Sequence, residues 1–243
     1  MPEVDAVAGT GDFVKIVSVI EQVMAGGKAE LYGHADATLP EGLPRLTSTA
    51  SYTAYLKIAD GCDNRCTYCV IPALRGAYRS RRMENIIREA QALADAGVRE
   101  LILIAQDTTR YGLDLYGEIK LAALLEELCK LDALRWIRLH YCYPEAVSDE
   151  LLEVMAGNEK VCRYLDIPIQ HANDEILKRM GRRTNRRQIS SLIRNIREKM
   201  PDVTLRTSII AGFPGETEEQ FDELLDFVSE HQFDRLGVFA YSK

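Results

Sequence analysis

The chain has 243 residues, of which 47% are hydrophobic and 28% charged, and its formal net charge at pH 7 is −7. No apolar run approaches the roughly 20 residues needed to cross a bilayer, and the first residues lack the basic start and apolar run of a signal peptide, so we expect a globular cytoplasmic protein with no membrane partner. The acidic balance would repel a phosphate backbone unless basic residues are gathered locally, which disfavours a nucleic-acid partner.

The first 50 residues contain one predicted helix and a predicted linker. Apolar residues recur there at helical spacing, and Gly26-Gly27 ends the pattern: Val14, Val17, Ile20, Val23 and Met24. Residues 33–44 are rich in glycine and proline and are predicted to form a linker or a loose hairpin. We expect residues 1–50 to be the remnant of a further domain plus this linker, and residues 51–243 to form the core domain.

From about residue 53 onwards, apolar runs of strand length alternate with segments of helical period. The predicted strands are 52–59, 100–105, 135–141, 163–169, 203–211 and 235–241. Six repeats of strand and helix predict an α/β fold, a partial open (β/α)6 TIM-like barrel with parallel strands. In such folds ligands gather at the carboxyl ends of the strands. The sequence stops after the sixth strand without its covering helix, so we expect a chain trimmed at both ends.

The helices between these strands carry recognisable start and stop signals. One begins near Glu84, one is capped by Ser148, and a long one ends before Pro201. The last opens with the capping box Thr217-x-x-Gln220. Its predicted buried face consists of Phe221, Leu224, Leu225 and Val228.

Three of the six cysteines form a tight cluster directly after the first core strand: Cys62, Cys66 and Cys69. In a reducing cytoplasm such a cluster indicates a metal site rather than a disulfide framework. Three thiolates at this spacing can hold three irons of a cubane cluster and leave the fourth iron open. A structural zinc site would need a fourth cysteine or histidine, and the nearest histidines are His34 and His140. Buried cysteines or an incomplete zinc knuckle remain the alternatives.

The other three cysteines are scattered without a partner pattern. They are expected to be core or surface thiols: Cys129, Cys142 and Cys162.

The C-x3-C-x2-C motif, with Tyr68 as the aromatic residue before the third cysteine, resembles the signature of the radical S-adenosylmethionine (SAM) superfamily. The resemblance implies a 4Fe-4S cluster on Cys62, Cys66 and Cys69, whose open iron binds the amino and carboxylate groups of SAM. It implies that an electron from the cluster cleaves SAM to methionine and a 5′-deoxyadenosyl radical. It also implies a SAM contact from Tyr68.

The resemblance implies further SAM contacts at the ends of other strands. Gln106 and Asp107 occupy the place where many such enzymes hold the methionine amino group; the alternative is an ordinary turn capped by Asp107 or Thr108. Gln170, which follows a strand interrupted by a proline, is expected to contact the ribose hydroxyls. Ser208, in place of the usual glycine, and Gly212 belong to the adenine-side motif, where glycine lets the backbone approach the cofactor.

Other conspicuous residues carry weaker predictions. Glu216 lies one position later than in the adenine-side motif and could simply stabilise the start of its helix. His171 is expected to be a structural histidine. Most arginines of two basic clusters are expected to be solvated, although a guanidinium of the second cluster could hold a carboxylate of SAM or of the substrate. The clusters are Arg75, Arg79, Arg81 and Arg82, and Lys178, Arg179, Arg182, Arg183, Arg186 and Arg187.

Within the superfamily the chain resembles the methylthiotransferases, and among these the ribosomal-protein branch. The phrases that carry the resemblance lie at residues 60–62, 71–76, 79–81, 105–112, 164–171 and 212–217. The transfer-RNA branch typically has Gly-Gln-Asn-Val after the second strand and Pro-Val-Gln-Ser-Gly after the fourth. A transfer-RNA methylthiotransferase core remains an alternative, as does a zinc or structural metal-binding module.

The resemblance implies a methylthio group placed on the β-carbon of one aspartate in a small-subunit ribosomal protein (S-twelve). It implies an electron donor such as flavodoxin or ferredoxin. Residues 1–50 would be the remnant of the N-terminal methylthiotransferase domain, whose missing upstream part binds a second 4Fe-4S cluster, and a downstream β-barrel domain would grip the substrate. We therefore expect this core to cleave SAM without completing methylthiolation.

Overall fold

The computed structural model describes residues 3–34, 41–42, 45–46, 48 and 50–242. The strands are β1 Ala6–Ala8, β2 Ala29–Leu31, β3 Thr53–Lys57, β4 Ala59–Asp60, β5 Arg79–Ser80, β6 Glu100–Ile104, β7 Trp136–Leu139, β8 Tyr164–Asp166, β9 Thr204–Ala211 and β10 Arg235–Ala240. The α-helices are α1 Ile16–Met24, α2 Ile71–Arg75, α3 Met83–Asp95, α4 Leu113–Tyr116, α5 Leu121–Cys129, α6 Asp149–Gly157, α7 Asp174–Arg179, α8 Arg186–Lys199 and α9 Glu218–His231. Short 3-10 helices lie at Phe13–Lys15, Thr108–Arg110 and Pro144–Ala146. Within these residues no helix is long and apolar enough to span a bilayer.

The core strands form two parallel three-stranded ladders that meet edge to edge. One has the order β3-β6-β7 and the other β8-β9-β10. Between β7 and β8 the connection is an isolated parallel bridge from Ile137 to Val161, where the Ile137 N–H donates to the Lys160 carbonyl at 2.7 Å. Among the described residues no ladder joins β3 to β10, so the sheet is open. The predicted open parallel (β/α)6 barrel is confirmed.

One face of the sheet is apolar and covered, and the other carries charged as well as apolar side chains. Alternate strand residues pack against the helices and are at most 1% exposed: Leu101, Leu103, Ile137, Leu139, Leu165 and Leu205. Each such side chain contributes about 1.5–3 kcal/mol by leaving water. The residues between them carry ion pairs, Arg138 with Glu100 at 2.8 Å and Arg206 with Asp166 at 2.6 Å. The lumen of the barrel therefore contains ion pairs beside apolar side chains such as Ile102, as a cavity for a ligand with charged and apolar parts requires.

The predicted helix signals are confirmed except for one buried face. Ser148 caps α6, and the capping box of Thr217 and Gln220 opens α9. On α9, however, Leu224 and Phe227 are buried while Leu225 is 47% exposed. The prediction for Leu225 is wrong because the buried residues recur at i, i+3 and i+7, as Leu224, Phe227 and His231, and Leu225 lies outside this stripe.

The fourth core strand is shorter than predicted. Residues 163–169 were expected to pair throughout, but the ladder ends at Asp166. The Ile167 N–H still donates to the Arg206 carbonyl at 2.9 Å, but the next backbone bond to β9 comes three residues later, from Gln170 to Ser208, so the chain bulges at Pro168. Pairing resumes at one isolated bridge from Gln170 to Ile209.

Residues 3–34 form a small βαβ unit. The predicted helix is present as α1, but β1 and β2, which pair in parallel, were not predicted because each has three residues. Only Val19 of α1 is buried, whereas Val17 and Met24 are 63% and 82% exposed. The linker predicted at 33–44 lies largely outside the described residues, and the division of the chain at residue 50 stays a prediction.

Candidate functional site

The three clustered cysteines lie on a loop that the backbone holds at its base. This cysteine loop, residues 61–70, leaves β4, whose antiparallel pairing with β5 joins Asp60 to Arg79. The Cys62 N–H donates to the Gly76 carbonyl at 3.2 Å. Gly61 has φ +77°, and a Cβ there would lie 2.7 Å from the Ala77 carbonyl carbon and still closer to its oxygen. Only glycine fits at this entry to the loop.

The segment after α7 packs against the other side of the cysteine loop. The N–H of Thr67 donates to the Met180 carbonyl at 3.0 Å, and its hydroxyl donates to the Arg179 carbonyl at 2.9 Å. Gly181 has φ +73°, and a Cβ there would lie 2.7 Å from the Arg65 carbonyl oxygen. The loop is thus clamped between segments that follow the first and the fourth core strands.

The thiols of this loop are partly or fully shielded from water. Cys62 and Cys66 are 6% and 7% exposed, Cys69 is half-buried, and all are free. Burial raises the pKa of the Cys62 thiol. Within the described residues no group of three or more His, Cys, Asp or Glu side chains is arranged to hold one metal ion. The donor set itself, three thiols on one short loop, fits three separate irons of a 4Fe-4S cluster.

The scattered cysteines have the surroundings expected of core and surface thiols. Cys142 is fully buried in the main core, and burial raises its pKa to about 12. Burial also raises the pKa of Cys129 and of Cys162, which are half-buried. None of the three lies on the cysteine loop.

Asp107, which follows β6, holds the cysteine loop in place through a hydrogen bond with Asn64. Its carboxylate accepts from the Asn64 side-chain amide at 3.1 Å and from the N–H of Thr109 at 3.1 Å, and it also accepts from the Thr109 hydroxyl. Asp107 is fully buried, which raises its pKa. Both oxygens are engaged within the protein, so these contacts match the capping alternative and differ from the expected role of Asp107 as a SAM ligand.

Gln106, the neighbour of Asp107, offers an open acceptor instead. Its side-chain oxygen is buried and finds no hydrogen-bond partner among the described residues. An unsatisfied buried acceptor costs about 1–3 kcal/mol, so a donor is expected at this position. An ammonium group such as that of SAM would supply one.

Two neighbouring strands end in strained residues. Tyr141, after β7, has φ +60°, and Gln170, after β8, has φ +71°. Such left-handed backbone costs a non-glycine residue of order 1–3 kcal/mol and is found mainly at functional sites. Gln170 is held there because its N–H donates to the Ser208 carbonyl at 2.9 Å and its carbonyl accepts from Ile210 at 2.8 Å. The sequence carries no signal for the conformation of Tyr141.

The end of β9 presents a glycine with an open side. Gly212 has φ +76°, and no atom of the described residues lies within 4 Å of the position that its Cβ would occupy. Next to it, buried Phe213 packs edge-on against Tyr68 of the cysteine loop at 6.5 Å between ring centroids, and against Tyr241 at 5.4 Å. Ser208, four residues upstream, is partly buried and pairs with Gly237 of β10. The structure therefore brings Tyr68 and the Gly212 segment together.

His171 and Glu216 are structural partners. The Nδ1 atom of His171 accepts from the Asn173 N–H at 3.0 Å, so its Nε2 carries the proton and donates to Glu216 at 3.2 Å. The other oxygen of Glu216 accepts from the Phe213 N–H at 2.8 Å. Both side chains are almost wholly buried. The structural reading of His171 is confirmed, and Glu216 closes the turn that carries Gly212.

The free energy of unfolding is expected to fall as the pH falls below about 6.5, the ordinary pKa of histidine. Burial lowers the pKa of His171, His140 and His231. Below that pH the unfolded chain binds protons that the folded chain does not, so stability is lost on acidification and is unaffected by these groups at higher pH. Denaturant unfolding at a series of pH values measures the slope.

The variant His171→Gln isolates one part of that slope. Glutamine keeps a donor toward Glu216 and does not titrate, so stability should fall less steeply on acidification than in the parent chain. An unchanged slope would show that His171 contributes nothing to it.

The second basic cluster contains one buried member. Arg182 is 7% exposed, donates to the Pro168 carbonyl at 2.8 Å and stacks on the Tyr143 ring at 4.3 Å. Its Nη1 lies 4.0 Å from the Cys66 sulfur, and the Tyr143 hydroxyl lies 3.5 Å from the same atom. Sequence reasoning missed Tyr143, which is 77 residues from Cys66.

The other arginines of the two clusters have local roles or lie on the surface. Arg179 donates to the Gly215 carbonyl at 2.8 Å, and Arg186 to the Glu223 carbonyl at 3.1 Å. In the first cluster Arg81 is buried and pairs with Glu41 and Glu89 at 3.0 and 2.7 Å.

Comparison with known proteins gives a family and a fold. The sequence pattern of the radical SAM superfamily matches residues 56–228. The ribosomal protein uS12 methylthiotransferase RimO of Caldanaerobacter subterraneus subsp. tengcongensis is 55% identical over all 243 residues, which are 56% of that protein. The protein of the same name from Thermoanaerobacter is 54% identical over the whole chain and 56% of its own length. The chain thus spans little more than half the length of the curated relatives it matches.

Two solved structures show the same fold at low sequence identity. The radical SAM methyltransferase TsrM of Kitasatospora setae superposes with a TM-score of 0.65 and 21% identity over 84% of this chain and 40% of its own. The coproporphyrinogen III oxidase HemN of Escherichia coli, a radical SAM enzyme, superposes with a TM-score of 0.56 and 21% sequence identity. The match covers 77% of this chain and 43% of HemN. At this level of identity the likeness concerns the fold alone.

Proposed function

The chain belongs to the radical SAM superfamily, and from that membership we propose that it is the radical SAM core of a methylthiotransferase acting in the cytoplasm. Its substrate would be the ribosomal protein uS12, named in the relatives that are 55% and 54% identical. The product would carry a methylthio group on the β-carbon of one aspartate. The cysteine loop, with the unpaired acceptor of Gln106 at the next strand end, is the observation that carries the proposal.

Cys62, Cys66 and Cys69 would hold a 4Fe-4S cluster. When bound, the cluster and SAM supply the 5′-deoxyadenosyl radical that removes hydrogen from an unactivated carbon. Asp107 and Asn64 hold the loop in place through their 3.1 Å hydrogen bond. This tether keeps the thiols pre-organised on the rim of the barrel.

The remaining predicted site residues would bind SAM. Gln106 would accept a hydrogen bond from its amino group, and Gln170, held in a strained conformation, would meet its ribose. The open side of Gly212 would let the backbone approach the adenine, with Tyr68 and Ser208 beside it. Asp107 would contribute through the loop and not through a direct contact.

The rest of the reaction would depend on partners. An electron donor such as flavodoxin or ferredoxin would reduce the cluster, and a second 4Fe-4S cluster in an upstream domain would take part in sulfur insertion. A transfer-RNA methylthiotransferase would use the same core chemistry. The names of the relatives favour the ribosomal protein, as do the phrases after the second and fourth core strands.

Anaerobically reconstituted chain, given dithionite and SAM, is expected to form 5′-deoxyadenosine. The variant Gln106→Leu should raise the KM for SAM about tenfold, which is the effect of losing about 1.4 kcal/mol of hydrogen bonding. Chromatography of the nucleoside product measures both. As a control, Gln91→Leu changes an exposed glutamine bonded to Asp95 on α3 and should leave KM unchanged.

Substrate choice is tested with a longer protein that contains this chain. Mass spectrometry should show methylthiolation of uS12 and none of transfer RNA; the reverse result would favour the transfer-RNA alternative. A colourless preparation that contains zinc and no iron would contradict the proposal altogether.

A further inference from the structure

Arg182 is a buried cation that forms no ion pair within the described residues. It is 7% exposed, and among the described residues no Asp or Glu carboxylate forms an ion pair with it. Its Nη2 donates to a backbone carbonyl and its face covers an aromatic ring, while its Nε is buried with no hydrogen-bond partner in the described part of the chain. Buried charges of this kind are strongly destabilising unless an opposite charge lies nearby.

The Glu145 carboxylate acts on Arg182 only from beyond ion-pair distance, and the sulfur of Cys66 is a closer group that can become an anion. It lies 4.0 Å from Nη1 of Arg182. A thiol is neutral, but a cysteine that binds iron does so as a thiolate. The guanidinium is therefore placed to neutralise Cys66 when this residue ligates a metal.

Tyr143 contacts the same sulfur from a second direction. Its hydroxyl lies 3.5 Å from the Cys66 sulfur, and toward a thiolate it can only donate. Its ring lies under the Arg182 guanidinium, with 4.3 Å between the guanidinium carbon and the ring centroid. Since Tyr143 follows the third core strand and Arg182 follows α7, two separate elements converge on one of the three cysteines.

We propose that Arg182 and Tyr143 are positioning residues that raise the reduction potential of the cluster through the Cys66 sulfur. The inference rests on the proposed function, because it needs an iron–sulfur cluster on this loop. One-electron reduction makes the cluster and its thiolates more negative. A neighbouring positive charge and a hydrogen bond to sulfur stabilise that reduced state more than the oxidised one.

The test is a potentiometric titration of the reconstituted chain, followed by electron paramagnetic resonance of the reduced cluster. Arg182→Met and Tyr143→Phe should both shift the midpoint potential to more negative values. For Arg182→Met the ratio of reduced to oxidised cluster at a fixed potential should fall about tenfold or more, which is about 59 mV for a one-electron couple. Arg182→Lys keeps the charge and should restore part of the shift.

The matched control is Arg183→Met, which removes an exposed arginine from the adjacent position and should leave the potential unchanged. Suppose that the parent chain binds iron and that the cluster has the same midpoint potential in Arg182→Met and Tyr143→Phe as in the parent. The inference is then wrong, and the proposed function stands. If Arg182→Met fails to fold, Tyr143→Phe decides, since an unshifted potential there overturns the proposal. Failure of the parent chain to take up iron would refute both.

Discussion

Alanine at Cys62, Cys66 or Cys69 is expected to abolish cluster binding and with it the formation of 5′-deoxyadenosine. The three thiols lie on one clamped loop, and the cluster would lose one of the three protein ligands that hold its irons. After anaerobic reconstitution, iron should fall from about four per chain to near zero, together with the loss of the brown colour. Iron and sulfide assays with visible absorption measure the effect.

Alanine at Cys142 provides the control. This cysteine is fully buried in the core, so the variant should lose stability through the small cavity it leaves but should keep its iron. Cys129→Ala and Cys162→Ala should behave in the same way. Loss of iron from the Cys142 variant, in a chain that remains folded, would contradict the assignment of the cluster to the loop.

The variant Gly61→Ala is expected to disrupt the cysteine loop and to destabilise the chain by more than about 4 kcal/mol. Gly61 has φ +77°, and the new Cβ would meet the Ala77 carbonyl group and lie 2.8 Å from the Gly76 oxygen. These are backbone atoms that β5 and α2 hold in place, so the clash cannot be relieved by rotating a side chain. Denaturant unfolding measures the loss, and iron uptake reports on the loop.

Gly117→Ala separates conformational strain from steric clash. Gly117 has φ +78°, almost the same as Gly61, but in the part of the chain that the structure describes no atom lies within 4 Å of its Cβ position. This variant should therefore cost about 1–2 kcal/mol, the ordinary price of left-handed backbone. Equal losses from the two substitutions would show that the Ala77 contact has no energetic effect.

The order of strands and helices was predictable because apolar runs, apolar spacing and capping residues are all visible in the sequence. The run at 100–105 is too apolar for an exposed strand, and Ser148 and Thr217 mark helix starts by the oxygens they offer to backbone N–H groups. Strand ends were less predictable. The fourth strand is shorter than predicted because the chain bulges between Ile167 and Gln170, and the proline in the sequence does not specify where pairing with β9 stops and resumes.

The candidate site was predictable where its residues are close in sequence and obscure where they are not. Spacing alone picks out the three cysteines, and Gln106 follows from its place after a buried strand. The tether from Asn64 to Asp107 joins residues 43 apart, and the contact of Arg182 with Cys66 joins residues 116 apart. Such contacts form only when the strands and helices pack together, so they leave no local pattern in the sequence.

The line between β7 and β8, where the two ladders meet, divides the strands of the barrel into two units, one for each ladder. The cysteine loop and Gln106 follow strands of the first unit, whereas Gln170 and Gly212 follow strands of the second. Native-state opening is favoured where backbone hydrogen bonds are few, and among the described residues this line is held by the bridge from Ile137 to Val161 and by the Cys142 N–H, which donates to the Asp166 carbonyl at 2.8 Å. Opening along this line would widen the lumen and leave the pairing within each ladder intact. Access of a bulky molecule to the interior is therefore coupled to the same fluctuation that exposes the amides of this line to solvent exchange.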